Sequence, residues 1–162
     1  MKNNINNNLT ILYKVEIMIS TKWFQGKENL NEVLNIRKEV FVNELKEDEN
    51  FITDIYDEFS FNVVEYDESI PVGTGRLLFK GGKYVIDKLC VLKQHRGNNY
   101  SEIIIRLLVR KAVNIGAEKT FAFIDKKYEN IFKKIGFEEF SSEQNNNVLM
   151  VKYGDVGGHC CK

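Results

Sequence analysis

Lys88-Leu89-Cys90-Val91-Leu92-Lys93-Gln94-His95-Arg96-Gly97-Asn98-Asn99-Tyr100-Ser101 changes its period in the middle. Before it, from Tyr84 to Leu92, apolar and β-branched residues read as a strand. After it, Ile103, Ile104, Leu107, Leu108, Ala112 and Val113 recur at helical spacing, and Gly116 stops the run. The stretch between is a loop that delivers a strand into a helix. A helix N-terminus presents unpaired N–H groups and the positive end of the macrodipole, which suits a phosphate. Arg96 adds a permanent forked cation there. Asn99 and Glu102 have the spacing of a capping box. Glu102, Arg106 and Arg110 follow at four-residue intervals, as an ion-pair row opposite the apolar face.

Working outward, Thr21 to Gln25 reads as a short strand and Glu28 to Leu45 as a helix. That helix carries Leu30, Val33, Leu34, Val40, Phe41 and Leu45 on one stripe. Arg37 falls on the same stripe, so it lies at the edge or meets a buried acid. Lys46 to Glu58 is an acidic loop without period. Phe59 to Tyr66 and Val72 to Phe79 are strands joined at Asp67-Glu68-Ser69, and Gly81-Gly82 turns into the strand at Tyr84. Beyond the long helix come a strand over Lys119 to Ile124 and a short helix over Tyr128 to Ile135. Two strands, Phe137 to Phe140 and Val148 to Tyr153, close the chain. The order β-α-β-β-β-α-β-α-β-β predicts an α/β (α+β) fold. Its core is a mixed, mostly antiparallel sheet of about seven strands flanked by helices on both faces.

The 162 residues suit one domain, assigned here to residues 20–154. Residues 1–19 form an extension whose alternation over Ile11, Tyr13, Val15, Ile17 and Ile19 predicts an extra strand. That strand has the pattern to pair between subunits of a homodimer. Residues 155–162 are a tail. Lys+Arg and Asp+Glu are 23 each, so no basic face marks a nucleic-acid partner. Leu9 to Ile19 is too short and too charged to cross a bilayer. Three cysteines, two of them adjacent, make a poor disulfide framework and place the chain in a reducing, cytoplasmic setting. His159-Cys160-Cys161 is a weak metal motif because adjacent ligands do not easily share a tetrahedral site, so no metal is expected.

The loop Arg96-Gly97-Asn98-Asn99-Tyr100-Ser101 resembles the Arg/Gln-x-x-Gly-x-Gly/Ala signature of the GNAT N-acetyltransferases. Three further segments resemble the family in order: Ile36–Glu44, Pro71-Val72-Gly73-Thr74-Gly75-Arg76-Leu77, and Ile131-Phe132-Lys133-Lys134-Ile135-Gly136-Phe137. The resemblance implies acetyl-coenzyme A as co-substrate, with its diphosphate on the amides of Arg96, Gly97, Asn98, Asn99, Tyr100 and Ser101. It implies backbone contacts from Leu89, Cys90 and Val91 to the thioester arm, with Asn130 and Phe132 on the far side. It implies direct transfer of acetyl to a small-molecule or peptide amine. Two positions depart from the signature: Asn99 stands for its glycine, and Ser101 for its Gly/Ala. Asn is the residue after glycine that best tolerates a left-handed backbone. Phe132 replaces a tyrosine that many members use as the acid for the leaving thiolate. The alternative to an enzyme is a non-catalytic acyl-coenzyme A-binding or regulatory domain.

The catalytic candidates are carboxylates and one phenol. Asp87, sharing a face with Leu89 and Val91 by period two, is a candidate base, or else a strand-end acid paired with Lys88 or Arg76. Tyr128, one turn before Phe132, is a candidate acid. Glu44 borders the expected acceptor cleft, as do Asp54 and Asp57, the last read with Glu58 as a solvated loop acid. Cys90 reads as a packed thiol rather than a nucleophile, and His95 as an exposed loop residue.

Overall fold

Seven strands pair in the order β1-β2-β3-β4-β5-β7-β6 in a computed structural model that describes residues 18–142 and 146–156. They are β1 (Ile19–Gln25), β2 (Phe61–Asp67), β3 (Ile70–Lys80), β4 (Lys83–Val91), β5 (Lys119–Asp125), β6 (Glu138–Ser142) and β7 (Asn147–Tyr153). Every neighbouring pair is antiparallel except β4 with β5. The helices are α1 (Asn31–Arg37), α2 (Tyr100–Asn114) and α3 (Glu129–Lys134). The expected mixed sheet with flanking helices is therefore the observed fold. The predicted extra strand over Ile11 to Ile19 lies outside the described residues through Ile17, and its last residue, Ile19, instead begins β1. The His159-Cys160-Cys161 tail also lies outside them. No helix among the described residues is long and apolar enough to cross a membrane.

The sheet separates two cores. Ile104, Ile105, Leu108, Val109 and Ala112 of α2 pack with Phe132 and Ile135 of the α3 region on one face. Leu30, Val33, Ile36, Val40 and Phe41 cover Val64 and Cys90 on the other. Glycine sets how closely α2 approaches β3. A Cβ on Gly75 would meet Ile104 and Leu108 at 2.8 Å, and one on Gly73 would meet Ile104 at 2.9 Å. The pattern Gly73-Thr74-Gly75 thus leaves room on the α2 face, while Thr74 turns the other way and donates to the Val63 carbonyl at 2.8 Å.

Three local features differ from the sequence expectation. The helix expected over 28–45 is α-helical only through Arg37, and Lys38–Glu44 continues as a wider π-helical segment. Leu45 leaves the expected stripe and is exposed. The acidic loop contains two short 3₁₀ segments, Glu49–Phe51 and Ile55–Phe59. The second is closed by a capping box between Asp54 and Asp57. Asp57 is consequently buried rather than solvated, whereas Glu58 is exposed and pairs with Lys27. The third feature is a bulge in β4. Arg76 pairs with Asp87 and Thr74 with Cys90, so Lys88 and Leu89 together oppose Gly75. Lys88 takes the left-handed conformation, φ 48°.

Candidate active site

The bulge decides which side chains share a face. An extra residue breaks period two, so Asp87 turns with Cys90 toward the α1 side. Leu89 lies beside Gly75 on the α2 side. Asp87 therefore does not share a face with Leu89 and Val91, contrary to the expectation from strict alternation.

The same strand opens the site. The parallel ladder holds only Tyr84, Val85 and Ile86 against Thr120, Phe121 and Ala122. Beyond Ile86, β4 continues through Asp87–Val91 without β5 beside it, and the sheet splays. Leu89, Cys90 and Val91 lie along that free edge. The Val91 carbonyl accepts from Arg96 Nε at 3.0 Å. Cys90 is buried, and burial pushes its thiol up to about 12, which suits packing and not nucleophilic attack.

The splay leads to the N-terminus of α2. Asn99 is left-handed at φ 63°, the conformation its signature position demands, and Gly97 is left-handed at φ 90°. Asn99 makes no side-chain hydrogen bond to the helix, so the expected capping box is absent. Glu102 is engaged instead by Arg106 at 2.8 Å, and Arg110 reaches Asp155 at 3.3 Å. The first-turn amides of α2 are thus left without a side-chain cap, which suits an anionic ligand. Asn98 and Ser101 flank this turn, while Tyr100 is buried beneath it with its hydroxyl on Asp67. His95 is half-buried, with Nδ1 3.8 Å from Asp67, and not the exposed loop residue expected.

Arg96 reaches across the cleft to Glu44, with two contacts of 2.7 Å. This fork holds the Glu44 carboxyl below its usual range and ties the end of the π-helical segment to the loop. A cavity of about 300 Å³ lies alongside, lined by Glu39, Asn43, Glu44, Lys93 and Gln94.

On the α1 side of the sheet lies an ion network that sequence reading reached only in parts. Arg76, 1% exposed, is chelated twice: by Asp87 at 2.7 and 2.8 Å and by Asp54 at 2.7 and 2.8 Å. The side chains of Asp54 and Asp87 remain 35% and 30% exposed, so both show an outer edge to solvent. The Arg76 guanidinium holds the Asp54 carboxyl down to about 2. Behind them, Arg37 binds Asp57, Asn62 and the Ile52 carbonyl. Burial alone would raise the Asp57 carboxyl, but the Arg37 charge and the Asp54 amide outweigh it and carry it below its usual value. Arg37 is thus paired with a buried acid, one of the two readings its stripe position allowed.

The other predicted residues sit on the β5 side. Tyr128 is exposed at the start of α3, with Lys127 Nζ 4.9 Å from its ring centre. Asn130 is exposed, and Phe132 is buried edge-to-face against Phe137. Among the described residues no group of three His, Cys, Asp or Glu is arranged to hold a metal.

Among the described residues, a mixed sheet that opens between two parallel strands onto an uncapped helix N-terminus fits an acyl-coenzyme A N-acyltransferase. Residues 24–153 match the acetyltransferase (GNAT) domain, and the chain belongs to that family. It is 30% identical over 120 residues to the uncharacterized N-acetyltransferase YjcF of Bacillus subtilis, covering 74% of this chain and 86% of that protein. Its fold matches an acyl-CoA N-acyltransferase from Pseudomonas aeruginosa with TM-score 0.72 at 16% identity, over 83% of this chain and 99% of that one. It also matches N-acetylglutamate synthase from Neisseria gonorrhoeae, solved with coenzyme A and N-acetyl-glutamate. There the TM-score is 0.64 at 17% identity, over 85% of this chain and 35% of that one.

Proposed function

We propose that the protein transfers acetyl from acetyl-coenzyme A directly to an amine, the two substrates being held together. The observation that carries this reading is the free edge of β4 running into the uncapped α2 N-terminus at left-handed Asn99. Acetyl-coenzyme A would supply the activated thioester. The amides of Gly97 to Ser101 would hold its diphosphate, with Arg96 beside them. The β4 edge at Leu89, Cys90 and Val91 would orient the thioester arm and present amide hydrogen to the carbonyl oxygen. Asn130 and Phe132 would border the arm from α3.

The acceptor would enter on the α1 side, where Asp54 and Asp87 show their outer edges and Glu44 closes the far end. Asp87, fixed by Arg76 at 2.7 and 2.8 Å, holds the entering ammonium and passes its proton to water. Tyr128 is the donor on the opposite wall, in place of the phenol missing at Phe132.

Release of free coenzyme A thiol, measured across polyamine, amino-acid, antibiotic and peptide amines, tests the reading. At least one amine should raise the rate above the amine-free background, with initial-rate lines that intersect. Asp87→Asn should then lower kcat about 100-fold. If acetyl-coenzyme A binds and no amine accelerates thiol release, the non-catalytic binding domain is the correct reading. Parallel lines would move the chemistry to a covalent route.

A further inference from the structure

Lys88 places an amine of the chain itself on the acceptor side of the cleft. Its Nζ donates to the Phe51 carbonyl and lies 3.4 Å from the centre of the Phe51 ring. Asp87 and Asp54 attract this charge, while Arg76 and Arg37 repel it. A carbonyl oxygen, an aromatic face and flanking carboxylates are the groups that recognise an ammonium. The left-handed bulge directs the side chain there, in a conformation uncommon for lysine. Burial pushes the Lys88 ammonium below the usual lysine value, which enlarges the neutral, nucleophilic fraction. Cys90 and Val91, assigned above to the thioester arm, follow two and three positions along the same strand. At about 3.3 Å per residue they lie roughly 7 and 10 Å along the strand, so an acetyl group held at their amides stands on the same strand that carries Lys88.

We propose that Lys88 is a self-acetylation site: in the absence of a competing amine, the bound thioester transfers its acetyl group to Lys88 Nζ. The proposal rests on the acetyl-coenzyme A reading above. The ammonium first gives one proton to water. The neutral amine then attacks the thioester carbon, the C–N bond forms and the C–S bond breaks. The second amine proton ends on the departing thiolate, leaving acetyl-lysine and free coenzyme A. Before transfer, Arg37, Arg76 and Lys88 balance Asp54, Asp57 and Asp87. Afterwards the cleft is one positive charge short, and Nζ no longer holds Phe51 as a cation.

The test is incubation of the full chain with acetyl-coenzyme A and no amine, followed by intact mass and peptide mapping over time. Binding of acetyl-coenzyme A is measured on the same preparation by calorimetry. The expected result is one acetyl group per chain, on Lys88 before Lys27 and Lys133. Those two lysines are exposed and report background chemical acetylation. Lys88→Arg, which keeps the charge, should melt as the wild type does and lose the early label. Binding with Lys88 labelled no faster than Lys27 and Lys133 overturns this proposal and leaves the acetyltransferase reading intact. No binding at millimolar acetyl-coenzyme A overturns both.

Discussion

Glu65 is a carboxyl group sealed in the fold. It is 0% exposed, neither oxygen has a hydrogen-bond partner among the described residues, and it lies opposite Gly73 on the α2 face. Burial pushes it up to about 7 from an ordinary value of 4.5. The folded chain therefore holds its proton more tightly than the unfolded chain does. Stability is full below about pH 4.5, falls as pH rises through about 7, and then levels off. The loss approaches roughly 3 kcal/mol, at about 1.4 kcal/mol for each tenfold difference in proton affinity between the folded and unfolded chains. Urea denaturation of Glu65→Gln should show that fall removed. An unchanged fall in the variant would assign it to other groups. Arg76 is the opposite case, a buried cation paired with three carboxylates. Arg76→Ala leaves Asp54, Asp57 and Asp87 without it and should cost about 3–5 kcal/mol in the same experiment, less whatever water recovers at the partly exposed acids. Neither feature is fully legible in the sequence. Val63-Val64-Glu65-Tyr66 reads as a one-faced strand, yet β2 is covered on both faces, and nothing in that string says so. Arg76 is legible as a partner for Asp87. Its second partner, Asp54, comes from a loop without period.

At the scale of elements, regular repeats are legible and their interruptions are not. Alternation marks β2, β3 and β4, and helical spacing marks α2 almost to the residue. The β4 bulge escapes because Asp87-Lys88-Leu89-Cys90-Val91 looks continuous whether or not a residue is skipped. The π-helical segment escapes because Val40 and Phe41 fall on the apolar stripe in either geometry. Both irregularities border the cleft: one re-aims Asp87 and Lys88, the other brings Glu44 to Arg96. The glycines of β3 are legible once α2 is placed over them. Gly75→Ala would push a methyl to 2.8 Å from Ile104 and Leu108. It should cost about 1–3 kcal/mol by the same denaturation, whereas full stability would mean that α2 can lift without penalty.

Across the whole molecule, zero net charge conceals two local sets of charged pairs. The Arg37–Arg76 network anchors the 3₁₀ loop to β3 and β4 on the α1 side. The Arg96–Glu44 fork joins the helical segment after α1 to the loop before α2. Both meet at the splay of β4 from β5, so the site belongs to the sheet and not to any one motif. The family signature falls at the junction of β4 and α2, where Asn99 takes a left-handed backbone without being glycine. Calorimetric titration of acetyl-coenzyme A into the wild type and into Asn99→Val tests this account most directly. A β-branched residue strongly disfavours the left-handed turn, by more than the roughly 1–2 kcal/mol typical of an ordinary side chain. Saturable binding by the wild type, weakened about tenfold or more in the variant, is the predicted result. Absence of binding by the wild type, or equal affinity in both, would contradict it.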